Sequence, residues 1–107
     1  MAGRRVLIAA CIALASMNAN AVEGDPEGAK DILSMCMGCH GIPGYRTAFP
    51  EVYPVPKLGG QHAQYLVKSL QAYRDGTRSH PSMQAVAQSL TDQNMADLAA
   101  YYAQSEK

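Results

Sequence analysis

Tryptophan is missing from the 107 residues, phenylalanine occurs once, at Phe49, and neither sign of charge is in excess, with nine Lys and Arg facing nine Asp and Glu. Without a basic surplus there is no polyanion-binding surface, which sets nucleic acid aside as a partner. The longest uninterrupted apolar run, Val6 to Ala15, covers about half of a bilayer's hydrocarbon core at 1.5 Å per residue, so it is too short to anchor the chain in a membrane. No stretch alternates with period two and none repeats, which leaves an all-α class. A chain this short is one domain at most, and with so few large aromatic side chains it needs a staple, a metal or a cofactor to complete its core.

The front of the chain reads as a cleavable leader. Arg4 and Arg5 precede the apolar run, and Ala19-Asn20-Ala21 is a small-x-small site ahead of Val22, the layout of a secretory signal peptide over residues 1–21. A rival reading cuts before Cys11 and acylates it, but this divides the apolar run itself. Residues 22–107 then form the domain, with a formal charge of about −2 once Arg4 and Arg5 are removed from the count. Cys36 and Cys39 are its only cysteines, and export to the periplasm places them in an oxidising compartment.

Those two thiols open Cys36-Met37-Gly38-Cys39-His40, the C-x-x-C-H spacing of a c-type haem attachment site. On a helical turn, residues three apart share a face, so each thiol reaches one vinyl group of a single porphyrin while His40 meets the iron. A zinc site needs a second pair of ligands, and no cysteine lies downstream. A thioredoxin-like pair follows a strand, whereas this one closes a helical stretch.

Asp25-Pro26 is a good helix start, and Gly28, Ala29, Ile32, Leu33 and Cys36 form one helical stripe leading into the motif. Gly41 to Gly60 holds four Gly and four Pro without a period. A loop that long is expected to wrap something, with Tyr45, Phe49, Val52, Tyr53, Val55 and Leu58 as candidates to pack on a porphyrin edge. His62 to Asp75 is a helix whose stripe is Tyr65, Leu66, Ser69, Leu70 and Tyr73, stopped by Gly76. A polar loop with Pro81 leads to Met83 and a short helix over Gln84 to Ser89. Thr91 caps a last helix with Met95, Leu98, Ala99 and Tyr102 inward.

What fills the second face of the iron decides between electron transfer and chemistry on a bound small molecule. Met35 and Met37 lie too near the attachment turn, and Met95 sits on an inward helical stripe where a core methionine is the ordinary explanation. Met83 lies 43 residues after His40, far enough along the chain to cross the porphyrin. His62 and His80 compete for the same role, since neutral imidazole also ligates iron. Spacing alone leaves the choice open.

Taken together, the helix leading into Cys36-Met37-Gly38-Cys39-His40, the stretch Pro56-Lys57-Leu58-Gly59-Gly60-Gln61 followed by Tyr65-Leu66, Met83 before the last helix, and Asp97-Leu98-Ala99-Ala100-Tyr101-Tyr102 resemble the small monohaem class I cytochromes c of bacteria. The resemblance implies a cytochrome c fold, three to four short helices and long loops wrapped around one haem c held through two thioethers from Cys36 and Cys39, with His40 and Met83 on the iron. It implies that the Pro56 carbonyl accepts the Nδ1–H of His40, and that Gly28 and Ile32 pack on Leu98 and Tyr101 where the first and last helices cross. The segment from His40 to Pro56 is longer than in the shortest members of that family. The implied function is a periplasmic one-electron carrier, not an enzyme, that meets donor and acceptor proteins at its haem edge, with Lys57, Lys68, Arg74 and Arg78 as candidate rim charges. Alternatives are the cytochrome subunit of a periplasmic dehydrogenase, or a five-coordinate haem protein for gas or peroxide, which requires Met83 unbound.

Overall fold

The computed structural model describes residues 21–48 and 51–106, where the chain folds as one short 3-10 helix and four α-helices. Residues 1–20, which hold Cys11 and all but the last residue of the expected 1–21 signal peptide, lie outside the described residues, as does the loop residue Phe49. Arg46 and Pro54 form an isolated antiparallel bridge, and no strand is present among the described residues.

The stretch before the attachment motif departs from the continuous helix expected of it. Asp25 caps a 3-10 helix over Pro26–Ala29, its side chain accepting from the Glu27 N–H, and turns follow before α1 begins at Ser34–His40. Tight i to i−3 bonds, such as Gly28 to Asp25 and Ile32 to Ala29 at 3.0 Å each, carry the chain through this region. Glycine is a weak helix former, and Gly28 meets the last helix at the carboxylate of Asp97, the side chain next to Leu98. Ile32 does join the cluster that holds Leu98 and Tyr101.

The helix α2, Ala63–Asp75, ends where Gly76 takes φ of 83°, a left-handed stop that a side chain would strain. Pro81–Gln88 forms α3, so Met83 lies in a helix rather than in the loop expected from the sequence. Pro81 at the first helical position is the reason: its missing N–H is one the first turn leaves unbonded anyway. The last helix, α4, Asp92–Gln104, opens on a capping box in which Thr91 and Asn94 exchange side-chain to backbone bonds.

The core lies along α4. Met95, Leu98, Ala99 and Tyr102, the expected stripe, are all buried. Met95 and Leu98 meet Ala29, Ala87 and Leu90, while Ala99 and Tyr102 meet Leu66 of α2. Cys36 packs against both groups, which fixes α1 on the scaffold. The helices therefore surround a cavity with α1 on its wall.

Candidate haem site

The cavity is about 610 Å³, within the roughly 300–1,000 Å³ range of cofactor and small-molecule sites. Each wall comes from a different element. From α1 come Cys36, Cys39 and His40, with Met35 beside them. The whole stripe of α2, Tyr65, Leu66, Ser69, Leu70 and Tyr73, faces the cavity, and Leu66, Leu70 and Tyr73 also pack on the core, so the helical period marked a cavity wall as well as a helix seam. Met83 and Val86 of α3 and Leu98 and Tyr102 of α4 complete the apolar lining. Of the loop candidates, Tyr53, Val55 and Leu58 line it, whereas Tyr45 and Val52 are exposed elsewhere.

His40 is held by a single bond. Its Nδ1–H donates to the Pro56 carbonyl at 2.7 Å, as the resemblance implied. That bond fixes the tautomer, leaving the Nε2 lone pair as the free donor of the ring. Pro56 and Lys57 also line the cavity, so the loop that orients the imidazole also forms a wall.

The thiols of Cys36 and Cys39 are not joined to each other. Burial pushes the Cys36 thiol up from its ordinary range, with a smaller opposing effect from the Tyr102 hydroxyl beside it. An apolar, protonated sulfur is unsuited to nucleophilic redox work, which needs thiolate. Among the described residues no three His, Cys, Asp or Glu side chains converge on a point where a metal ion could sit.

Of the competing histidines, His62 is exposed at the start of α2 and does not line the cavity. His80 does line it, but its ring is engaged: Nδ1 accepts the N–H of Met83, and the ring packs against Tyr53 at 4.4 Å between centroids, tilted by 49°. Met95 is fully buried in the core, as its stripe implied. Met83 is half-buried on the cavity wall.

The donor chemistry fits a porphyrin iron: one oriented imidazole, one soft thioether, two thiols in an attachment motif, and an apolar enclosure between them. A second feature agrees. The Tyr102 hydroxyl is buried beside the Cys36 thiol, yet its geometry completes no hydrogen bond among the described residues, a state that native interiors avoid and that a group in the cavity can relieve. The fold and the site thus define a small all-α domain built around one flat, covalently held cofactor.

Comparison with known proteins gives the class its family. The Cytochrome c family profile matches residues 27–105. Cytochrome c-554(548) of Halomonas halodenitrificans is 42% identical over 86 residues, 78% of this chain and 99% of that protein. Cytochrome c4 of Thiocapsa roseopersicina is 41% identical over 86 residues, 78% of this chain but 42% of that protein. A thiosulfate dehydrogenase electron acceptor of Stutzerimonas stutzeri is 36% identical over 91 residues, 81% of this chain and 41% of that protein. Among solved structures, the cytochrome c4 of Acidithiobacillus ferrooxidans superposes with a TM-score of 0.61 at 28% identity, over 79% of this chain and 52% of that one. The chain therefore spans nearly all of the first relative and about half or less of the others. It belongs to the cytochrome c family, an electron-transfer haem protein with the all-α cytochrome c fold and covalently bound c-type haem.

Proposed function

We propose that residues 22–107 form a periplasmic one-electron carrier, a binding protein rather than an enzyme, exported by a leader cleaved after Ala21. The observation that carries this reading is that His40, with its tautomer fixed by Pro56, and Met83 line the same largely apolar cavity as Cys36 and Cys39. Cys36 and Cys39 would hold the porphyrin through two thioethers, and His40, its Nδ1–H bonded to Pro56, would offer Nε2 to the iron. Met83 would offer its thioether sulfur to the iron from another wall of the cavity. The bound haem supplies an iron centre that cycles between ferric and ferrous states. A thioether ligand favours the ferrous state relative to harder donors and so raises the potential. The wall formed by Leu66, Leu70, Val86 and Leu98 excludes water and limits charge reorganisation around the site.

Donor and acceptor proteins meet the chain at the rim of the cavity through a small, transient contact, as weak redox encounters do. Lys57 and Arg78 stand at that rim. Arg74 pairs with the carboxylate of Asp92 at 2.7 Å, which offsets part of its charge. The similarity to the electron acceptor of a thiosulfate dehydrogenase favours a dehydrogenase as the donor.

One preparation tests the reading. Protein purified from a periplasmic fraction should begin at Val22, carry the mass of one haem and titrate as a single one-electron couple. A lipidated Cys11, a haem lost on denaturation, or turnover of peroxide in place of a stable couple would contradict it.

A further inference from the structure

Four contacts from three parts of the fold meet on His80. Its Nδ1 accepts the backbone N–H of Met83 at 3.3 Å, and its own backbone N–H donates to the Gln84 side chain at 3.2 Å. Its ring packs against Tyr53 of the wrapping loop at 4.4 Å between centroids, tilted by 49°, and forms a T-shaped pair at 6.4 Å with Tyr73 from the last turn of α2. Histidine is not among the preferred N-cap residues, which are Ser, Thr, Asp and Asn. None of those has a ring that can also reach two aromatic neighbours. The side chain at this position therefore does two things: it satisfies an orphan donor of the first turn of α3, and it ties that turn to two other walls of the cavity.

The donor that it satisfies belongs to Met83. A methionine side chain has three rotatable bonds and fits many positions, so the sulfur is directed only as well as its backbone is held. We propose that His80 is the positioning residue for Met83: by accepting the Met83 N–H while wedged against Tyr53 and Tyr73, it fixes the first turn of α3 at the cavity wall. This rests on the reading of Met83 as the second axial ligand. With Nδ1 accepting, the ring proton lies on Nε2, so a neutral imidazole in one tautomer serves the cap. His80 is then not itself the ligand, though it stands three residues away.

Two variants separate the cap from the ring. His80→Phe keeps an aromatic face for Tyr53 and Tyr73 but has no acceptor, whereas His80→Asn keeps a strong N-cap acceptor and gives up the stacking. The readout is the affinity of the ferric holoprotein for added imidazole, which must displace the methionine. In His80→Phe that affinity should rise about fivefold, the equilibrium equivalent of the ~1 kcal/mol typical of a lost helix cap, and the methionine-to-ferric-iron charge-transfer band should weaken. His80→Asn should stay within about twofold of the wild type. In the reduced holoprotein, amide exchange at Met83 should quicken in His80→Phe and recover in His80→Asn, a readout of the cap itself rather than of the iron's spectrum. A role confined to packing would lower the denaturation midpoint in both variants and leave imidazole affinity unchanged, which overturns the proposal. A wild type lacking the charge-transfer band overturns the ligand assignment beneath it, and that result is visible before any variant is made.

Discussion

Gly28 and Asp97 are in contact across the meeting of the 3-10 helix with α4: a Cβ on Gly28 would stand 2.5 Å from one carboxylate oxygen of Asp97 and 3.0 Å from its carboxyl carbon. The carboxylate cannot step aside freely. Its other oxygen accepts the Asp25 N–H at 2.8 Å and the Gln93 side-chain N–H at 2.7 Å, and the residue is buried. A buried carboxylate with two donors is thus the clasp between the first and last helical segments.

Gly28→Ala should therefore destabilise the holoprotein by roughly 1–3 kcal/mol, the usual cost of overpacking, as read by the midpoint of denaturant unfolding. In an Asp97→Ala background the same change should cost much less, because the clash is gone, and a double-mutant cycle measures that coupling. Equal costs in both backgrounds would mean that Gly28 matters only through its backbone freedom.

Tyr102 gives the fold a pH limit on the alkaline side. Burial, foremost, pushes its phenol far above the ordinary range, and of its charged neighbours Tyr101 adds to this; the contribution of a free Cys36 thiol goes once that sulfur is a thioether. The folded pKa is raised above the unfolded value near 10, so the stability held by the neutral phenol is complete below about pH 10 and is lost as pH rises towards the folded value. The melting temperature of wild type should fall more steeply above pH 10 than that of Tyr102→Phe. Parallel curves would contradict this.

What could be read from the sequence followed from chemistry that is local in the chain. The attachment motif, the stripe of α2 and the inward side of α4 each repeat within a few residues, and all three lie where their spacing put them. Three features depended on partners distant in sequence. The break between the 3-10 helix and α1 accompanies the approach of Gly28 to Asp97, 69 residues on. The engagement of Arg74 needed Asp92 on another helix. The role of His80 needed Tyr53 and Tyr73, and the one available signal was local: a histidine before Pro81 with Met83 three residues later, the spacing of an N-cap to N3 bond.

The assignment of His40 and Met83 as the axial pair is tested most directly by absorption spectra of oxidised and reduced holoprotein, with and without carbon monoxide, beside Met83→Ala. The wild type should show a methionine-to-ferric-iron charge-transfer band and leave carbon monoxide unbound, while the variant should lose the band and bind the gas. A wild type that takes up carbon monoxide readily, or a variant that keeps the band, would contradict a methionine ligand at position 83.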